Sequence, residues 1–159
     1  MCSSDLSARV TVSVEVLREV TDEVVEAFGV LLPQLSRSAP PADRAVLERV
    51  TGSAATTLLI ARSDGKIAGT LSLVMFPIPT GLRAWIEDVI VDEAARGQGL
   101  GQVLTIEALR IAEEAGARTV DLTSRPSREA AGRLYERAGF KSRSTRLYRY
   151  TFAEHEVPS

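Results

Sequence analysis

At 159 residues the chain is of ordinary single-domain size and long enough to bury a sizeable core. Its 45% hydrophobic and 25% charged content is that of a globular protein and excludes wholesale disorder. A net charge of −2 argues against a general nucleic-acid binder, and the single cysteine, Cys2, excludes a disulfide framework or a cysteine-based metal site.

The N-terminus carries no basic segment followed by an apolar core, so no signal peptide is expected. Val10, Val12, Val14 and Val16 alternate with polar residues, the pattern of a half-buried strand. Thr21 can N-cap a helix in which Val24, Val25, Phe28, Leu31 and Leu32 recur until Pro33 ends it. A Ser/Pro-rich break over residues 36–41 precedes a short second helix at about 43–50. Residues 56–61 and 67–76 read as strands joined by Asp64-Gly65, a hairpin turn. The most apolar stretch, 67–78, is too short for a bilayer and holds Pro77, so a cytoplasmic protein without a membrane partner is expected. Residues 82–91 form a strand with apolar side chains on both faces: Trp85, Val89 and Val91 on one, Ile86 and Ile90 on the other. A helix over 99–115 follows, with Leu100, Leu104, Ala108, Ile111 and Ala115 in one stripe and Gly116 as its stop. A strand at 119–123, a helix at 128–138 and a last strand at 143–152, where Tyr148, Tyr150 and Phe152 alternate, complete the chain. The order β-α-α-β-β-β-α-β-α-β describes one α/β domain over 1–159, its core at about 8–152 and both tails frayed. The one histidine, His155, falls in the polar tail, so no zinc site is expected.

Chemistry concentrates where the strand at 82–91 gives way to the long helix. Arg96-Gly97-Gln98-Gly99-Leu100-Gly101 offers bare backbone N–H groups to an anion, and the helix start adds unpaired N–H groups and the positive end of its dipole. A Walker loop would end in Gly-Lys-Ser/Thr, whereas Gln102, Val103 and Leu104 follow Gly101. The dinucleotide fingerprint counted from Gly97 would need a third glycine at Gln102, so it fails too. A diphosphate ligand of another kind, or a plain glycine turn, remains.

A second motif decides between them. Arg96-x-x-Gly99-x-Gly101 after a strand, with Leu134-Tyr135-Glu136-x-x-Gly139-Phe140 about 35 positions later, resembles the GNAT superfamily of acyl-CoA-dependent N-acetyltransferases. The likeness is clear from Trp85 to Phe140 and extends in layout from Val10 to Phe152. It implies a mixed, mostly antiparallel central sheet flanked by helices, and acetyl-CoA as acyl donor with no metal. It also implies that Arg96, Gly97, Gln98, Gly99, Leu100 and Gly101, with Gln102 close behind, hold the pyrophosphate. The strand ending Val89-Ile90-Val91 should splay from the strand at 119–123 and expose backbone to pantetheine, with the N–H of Val89 as donor to the thioester carbonyl.

The resemblance puts Tyr135 near the CoA sulfur as general acid; a phenol of pKa about 10 can serve a thiolate of about 8.5. The alternative is a tyrosine packed by its ring with its hydroxyl at the rim, and Leu134 and Phe140 read as core. Glu87 and Asp88 are consecutive in a strand and so point to opposite faces, where carboxylates are costly unless used or paired. Glu87 is the candidate base by analogy; pairing of both with arginines, or deprotonation by a water chain, stays open. Arg128 stands where many members carry an asparagine, and it either reaches a phosphate or is an exposed first-turn residue. Residues 86–92 are also similar to glucosamine-phosphate acetyltransferases, but 123–127 are not similar to their sugar-binding region. The reading is therefore an acetyl-CoA-dependent N-acetyltransferase acting on a primary amine of a small molecule or peptide. A non-catalytic acyl-CoA-binding regulatory domain is the alternative. Homodimers are frequent among similar proteins, so a homodimer is allowed for.

Overall fold

The structure, a computed structural model, describes residues 10–125 and 127–152. The expected frayed tails, with Cys2 and His155, lie outside the described residues. β1 (Val12–Val16) keeps its valines half-buried and its polar residues exposed, and pairs antiparallel with β2 (Thr56–Ser63). Asp64 and Gly65, at φ 48° and 83°, make the tight turn into β3 (Lys66–Ile78), since that turn needs two left-handed residues. β4 (Gly81–Val91) returns antiparallel, and β5 (Thr119–Asp121) adds a short parallel edge. The sheet runs β1-β2-β3-β4-β5.

Helices cover both faces. Thr21 and Asp43 cap α1 (Asp22–Leu35) and α2 (Arg44–Thr51), accepting from the N–H groups of Val24 and Val46 at 3.3 and 2.9 Å. Pro33 does not end α1 as the sequence implied. It lies in the last turn, where its missing N–H costs a single bond, while buried Val24, Phe28 and Leu31 hold the helix down. Val24 and Phe28 pack with Leu47, Leu58 and Ile60 into one half of the core. α3 (Leu100–Glu114) fills the opposite face, burying Leu100, Leu104, Thr105, Ala108 and Ala112 against Leu59, Leu71 and Leu73. The buried stripe thus turns through Ala112, and Ala115 is an exposed C-cap. α4 (Glu129–Arg137) packs against α3, with Leu134 beside Gly101, and buries no residue fully.

Two expectations fail for physical reasons. β4 does not keep one alternation along its length: Ser72 pairs with Glu87 but Thr70 with Ile90, so Leu71 faces two residues, and Asp88 sits at φ 49°. That bulge reverses the parity, so Ala84 and Ile86 before it join Val89 and Val91 after it on the α3 face. The last strand expected at 143–152 is also missing, for residues 141–151 form neither strand nor bridge. An alternating pattern names a face to be covered, not the partner that covers it. The sheet is nonetheless the mixed, mostly antiparallel α/β sheet that the sequence implies.

Candidate functional site

β4 hands the chain to α3 through a braced corner. Asp92 caps a single 3-10 turn (Glu93–Ala95), its Oδ1 accepting from the N–H of Ala94 at 3.2 Å. Gln34, near the end of α1, clasps the same corner: its Nε2 donates to Asp92 Oδ1 at 3.3 Å and its Oε1 accepts from Glu93 N–H at 3.0 Å. Beyond the corner, Gly97 and Gly99 take φ of 84° and 81°. A Cβ on either would meet nothing within 4 Å, so the backbone angle rather than crowding demands glycine. Gly101 is small for a different reason. A Cβ there would lie 3.3 Å from Leu134 Cδ1 and 3.8 Å from Val91 Cγ2, so this residue lets α3, α4 and the end of β4 close on one another.

The loop leaves a row of donors. The first bond of α3 runs from Val103 N–H to Gly99 O at 3.1 Å. Among the described residues no acceptor meets the N–H groups of Gly97, Gln98, Gly99, Leu100, Gly101 or Gln102. The side chain of Gln98 reaches to β2, where Ser63 Oγ donates to its Oε1 at 2.5 Å. Thr105 Oγ1 donates to Gly101 O at 2.7 Å and tightens the first turn. Arg96 and Gln102 are exposed, and no acid occupies the first turn of α3. Unpartnered N–H groups at the positive end of a helix dipole are chemically suited to an anion.

Beside the loop, β4 and β5 part. They pair only from Arg83–Thr119 to Trp85–Asp121, leaving Val89, Ile90 and Val91 without a strand on that side. Ile90 is buried; Val89 and Val91 are half-buried. Glu87 and Asp88 are both exposed, because the bulge breaks the alternation that would have buried one of them. The cost expected for carboxylates inside an apolar strand therefore does not arise, and among the described residues neither forms an ion pair with an arginine.

Tyr135 projects from α4, half-buried, its ring edge-on to Phe140 with centroids 5.8 Å apart. Phe140 N–H donates back to Tyr135 O at 3.0 Å, closing the turn at Gly139. Burial pushes the phenol pKa above its ordinary value of 10.0, and the nearby charge of Arg128 partly opposes this. The hydroxyl is thus protonated at neutral pH. Arg128 is an exposed N-cap residue that makes no capping bond.

The structure brings the glycine loop, the end of β4 and the Leu134-Tyr135 helix together around Gly101. Glu87 stands apart, with no hydrogen bond or ion pair to Tyr135 or Arg128 among the described residues. Gln34 and Ser63 escaped the sequence reading; each acts at long range through one side chain, and no local pattern marks them. Among the described residues no group of three His, Cys, Asp or Glu could hold a metal, and no helix is long and apolar enough to cross a membrane.

Residues 18–140 match the acetyltransferase (GNAT) family. The chain is 39% identical over 71 residues to N-alpha-acetyltransferase 30 of Schizosaccharomyces pombe, covering 45% of this chain and 47% of that protein. It is 35% identical over 95 residues to glucosamine 6-phosphate N-acetyltransferase of Trypanosoma brucei brucei, covering 58% and 63%. The chain thus spans about half to under two thirds of the length of these curated relatives. Among solved structures, a putative acetyltransferase from Agrobacterium tumefaciens str. C58 superposes with a TM-score of 0.76 at 25% identity, covering 87% of this chain and 99% of that one. A glycine loop opening the long helix, a bulged central strand parted from its neighbour and a match over most of the length agree: the chain belongs to the GNAT acetyltransferase family.

Proposed function

We propose that this chain moves an acetyl group from acetyl-CoA to a primary amine of a small molecule or peptide by direct attack in a ternary complex. The observation that carries the reading is the row of unpartnered N–H groups from Gly97 to Gln102 at a helix start, with open space beside Gly97 and Gly99. A diphosphate fits such a loop, with the exposed guanidinium groups of Arg96 and Arg128 as further anion partners. Acetyl-CoA supplies the activated thioester when bound.

The remaining roles belong to the chain's own residues. Backbone groups of Val89, Ile90 and Val91, where β4 has left β5, would meet the pantetheine amides. The Val89 N–H would donate to the acyl oxygen as negative charge grows there, a contact worth about 3 kcal/mol in comparable oxyanion holes. Tyr135, held protonated by burial, would give its proton to the departing thiolate. Glu87, exposed on β4, would take a proton from the substrate ammonium, directly or through water, leaving the neutral amine to attack the thioester carbonyl. The two curated relatives are both N-acetyltransferases, which supports an amine acceptor.

A coupled thiol-release assay over a panel of amines tests the reading. Turnover with at least one amine, reduced in Tyr135→Phe, is expected. Tight acetyl-CoA binding without turnover on any amine would favour the non-catalytic acyl-CoA-binding domain instead.

A further inference from the structure

A loop that leaves its N–H groups open gives up the backbone bonds that would otherwise fix its shape. Before the run from Gly97 to Gln102 stands only a long bond, from Arg96 N–H to Glu93 O at 3.4 Å. Gly97 and Gly99 add freedom, because glycine has more conformations to lose on ordering than any other residue. Were the loop ordered only when a ligand arrives, that ordering would subtract from affinity. Its shape must be imposed from outside.

Two side chains reach in from distant parts of the sequence. Gln34, in the last turn of α1, has its amide fixed at both ends. Its Nε2 donates to Asp92 Oδ1 at 3.3 Å and to Val30 O of its own helix at 3.2 Å, while its Oε1 accepts from Glu93 N–H at 3.0 Å. Asp92 is also tied to the sheet, since its N–H donates to Ala68 O on β3 at 2.8 Å. Buried Val24, Phe28 and Leu31 seat α1, so Gln34 links a fixed point of the core to the corner that launches the loop. Ser63 works from the other side. It ends β2, next to the Asp64-Gly65 turn, and its Oγ donates to Gln98 Oε1 at 2.5 Å. One clasp holds the corner and the other holds the glycine run itself. Among the described residues neither side chain bonds to Val89, Glu87 or Tyr135.

We propose that Gln34 and Ser63 are positioning residues of the diphosphate site, two clasps that hold residues 92–98 in the shape a diphosphate needs before it binds. The inference rests on the reading of residues 97–102 as the diphosphate seat and adds what keeps that seat formed. Clasps at this end act on the affinity for the diphosphate half of CoA and leave the pantetheine half, at the open end of β4, untouched. Losing one of them should weaken CoA binding about tenfold, which corresponds to about 1.4 kcal/mol.

The test compares Gln34→Met, Ser63→Ala and Ser63→Thr with the parent chain. Gln34→Met keeps the length of the side chain and its helix preference while deleting both bonds to the corner, and Ser63→Thr keeps the hydroxyl. In the ligand-free proteins, heteronuclear Overhauser effects should fall at the amides of residues 97–102 in Gln34→Met and Ser63→Ala, a readout of loop order that needs no ligand and no turnover. Calorimetry should give a CoA dissociation constant about tenfold higher in these two variants. Titration with pantetheine, which lacks the diphosphate, should match the parent, and Ser63→Thr should match the parent in every measurement. A loop as ordered as the parent's in either variant, an unchanged CoA dissociation constant, or equal losses for CoA and pantetheine would overturn the clasp role and leave the diphosphate reading standing. A parent chain that does not bind CoA would overturn both.

Discussion

Gly99 and Tyr135 carry the sharpest residue-level expectations. Gly99 takes φ 81° with space around it, so Gly99→Ala fails through backbone strain alone. A loss of about 1–2 kcal/mol is expected in chemical denaturation, together with weaker acetyl-CoA binding. Tyr135→Phe removes a proton donor but keeps the ring on Phe140. Turnover should fall about 100-fold while the KM for acetyl-CoA changes little. The pH dependence has a definite sign. The folded chain holds the Tyr135 proton more tightly than the unfolded chain, because burial raises its pKa above 10.0. Its stabilising effect is therefore complete below pH 10 and is lost as pH climbs through the folded value. Unfolding curves taken across that alkaline range should fall less steeply for Tyr135→Phe than for the parent chain.

At the scale of elements, α3 and α4 differ in how firmly they are seated. Leu104 is wholly buried against the sheet, whereas Leu134 is half-buried and touches Gly101. Leu104→Ala should cost about 2–5 kcal/mol and Leu134→Ala clearly less, measured by urea denaturation. Elements with their own punctuation were legible in the sequence: the Thr21 cap, the Asp64-Gly65 turn and the Gly116 stop all sit where expected. The glycine loop was legible too, since three glycines between a strand and a helix serve few purposes. The bulge was not. Its only sign was Glu87-Asp88 in an apolar strand, and two acids alone cannot say which residue slips out of register. Nor could periodicity show that the arm at 143–152 would leave the sheet, because alternation is the same whichever edge receives it.

For the whole molecule, ligand binding and folding are linked. A ligand that occupies only the folded chain at about 100 times its dissociation constant adds about 2.7 kcal/mol, so CoA should raise the melting temperature measurably. The same rise in Gly99→Ala should be smaller at equal CoA concentration. The N–H groups of residues 97–102 are the proposed seat of a diphosphate, and amide NMR reads those groups one by one. Titrating the nitrogen-15-labelled protein with CoA, then separately with pantetheine, should move the Gln98, Gly99, Gly101 and Gln102 amides strongly with the first and scarcely with the second. Large shifts at those amides with pantetheine alone, or CoA binding that leaves them in place, would contradict it.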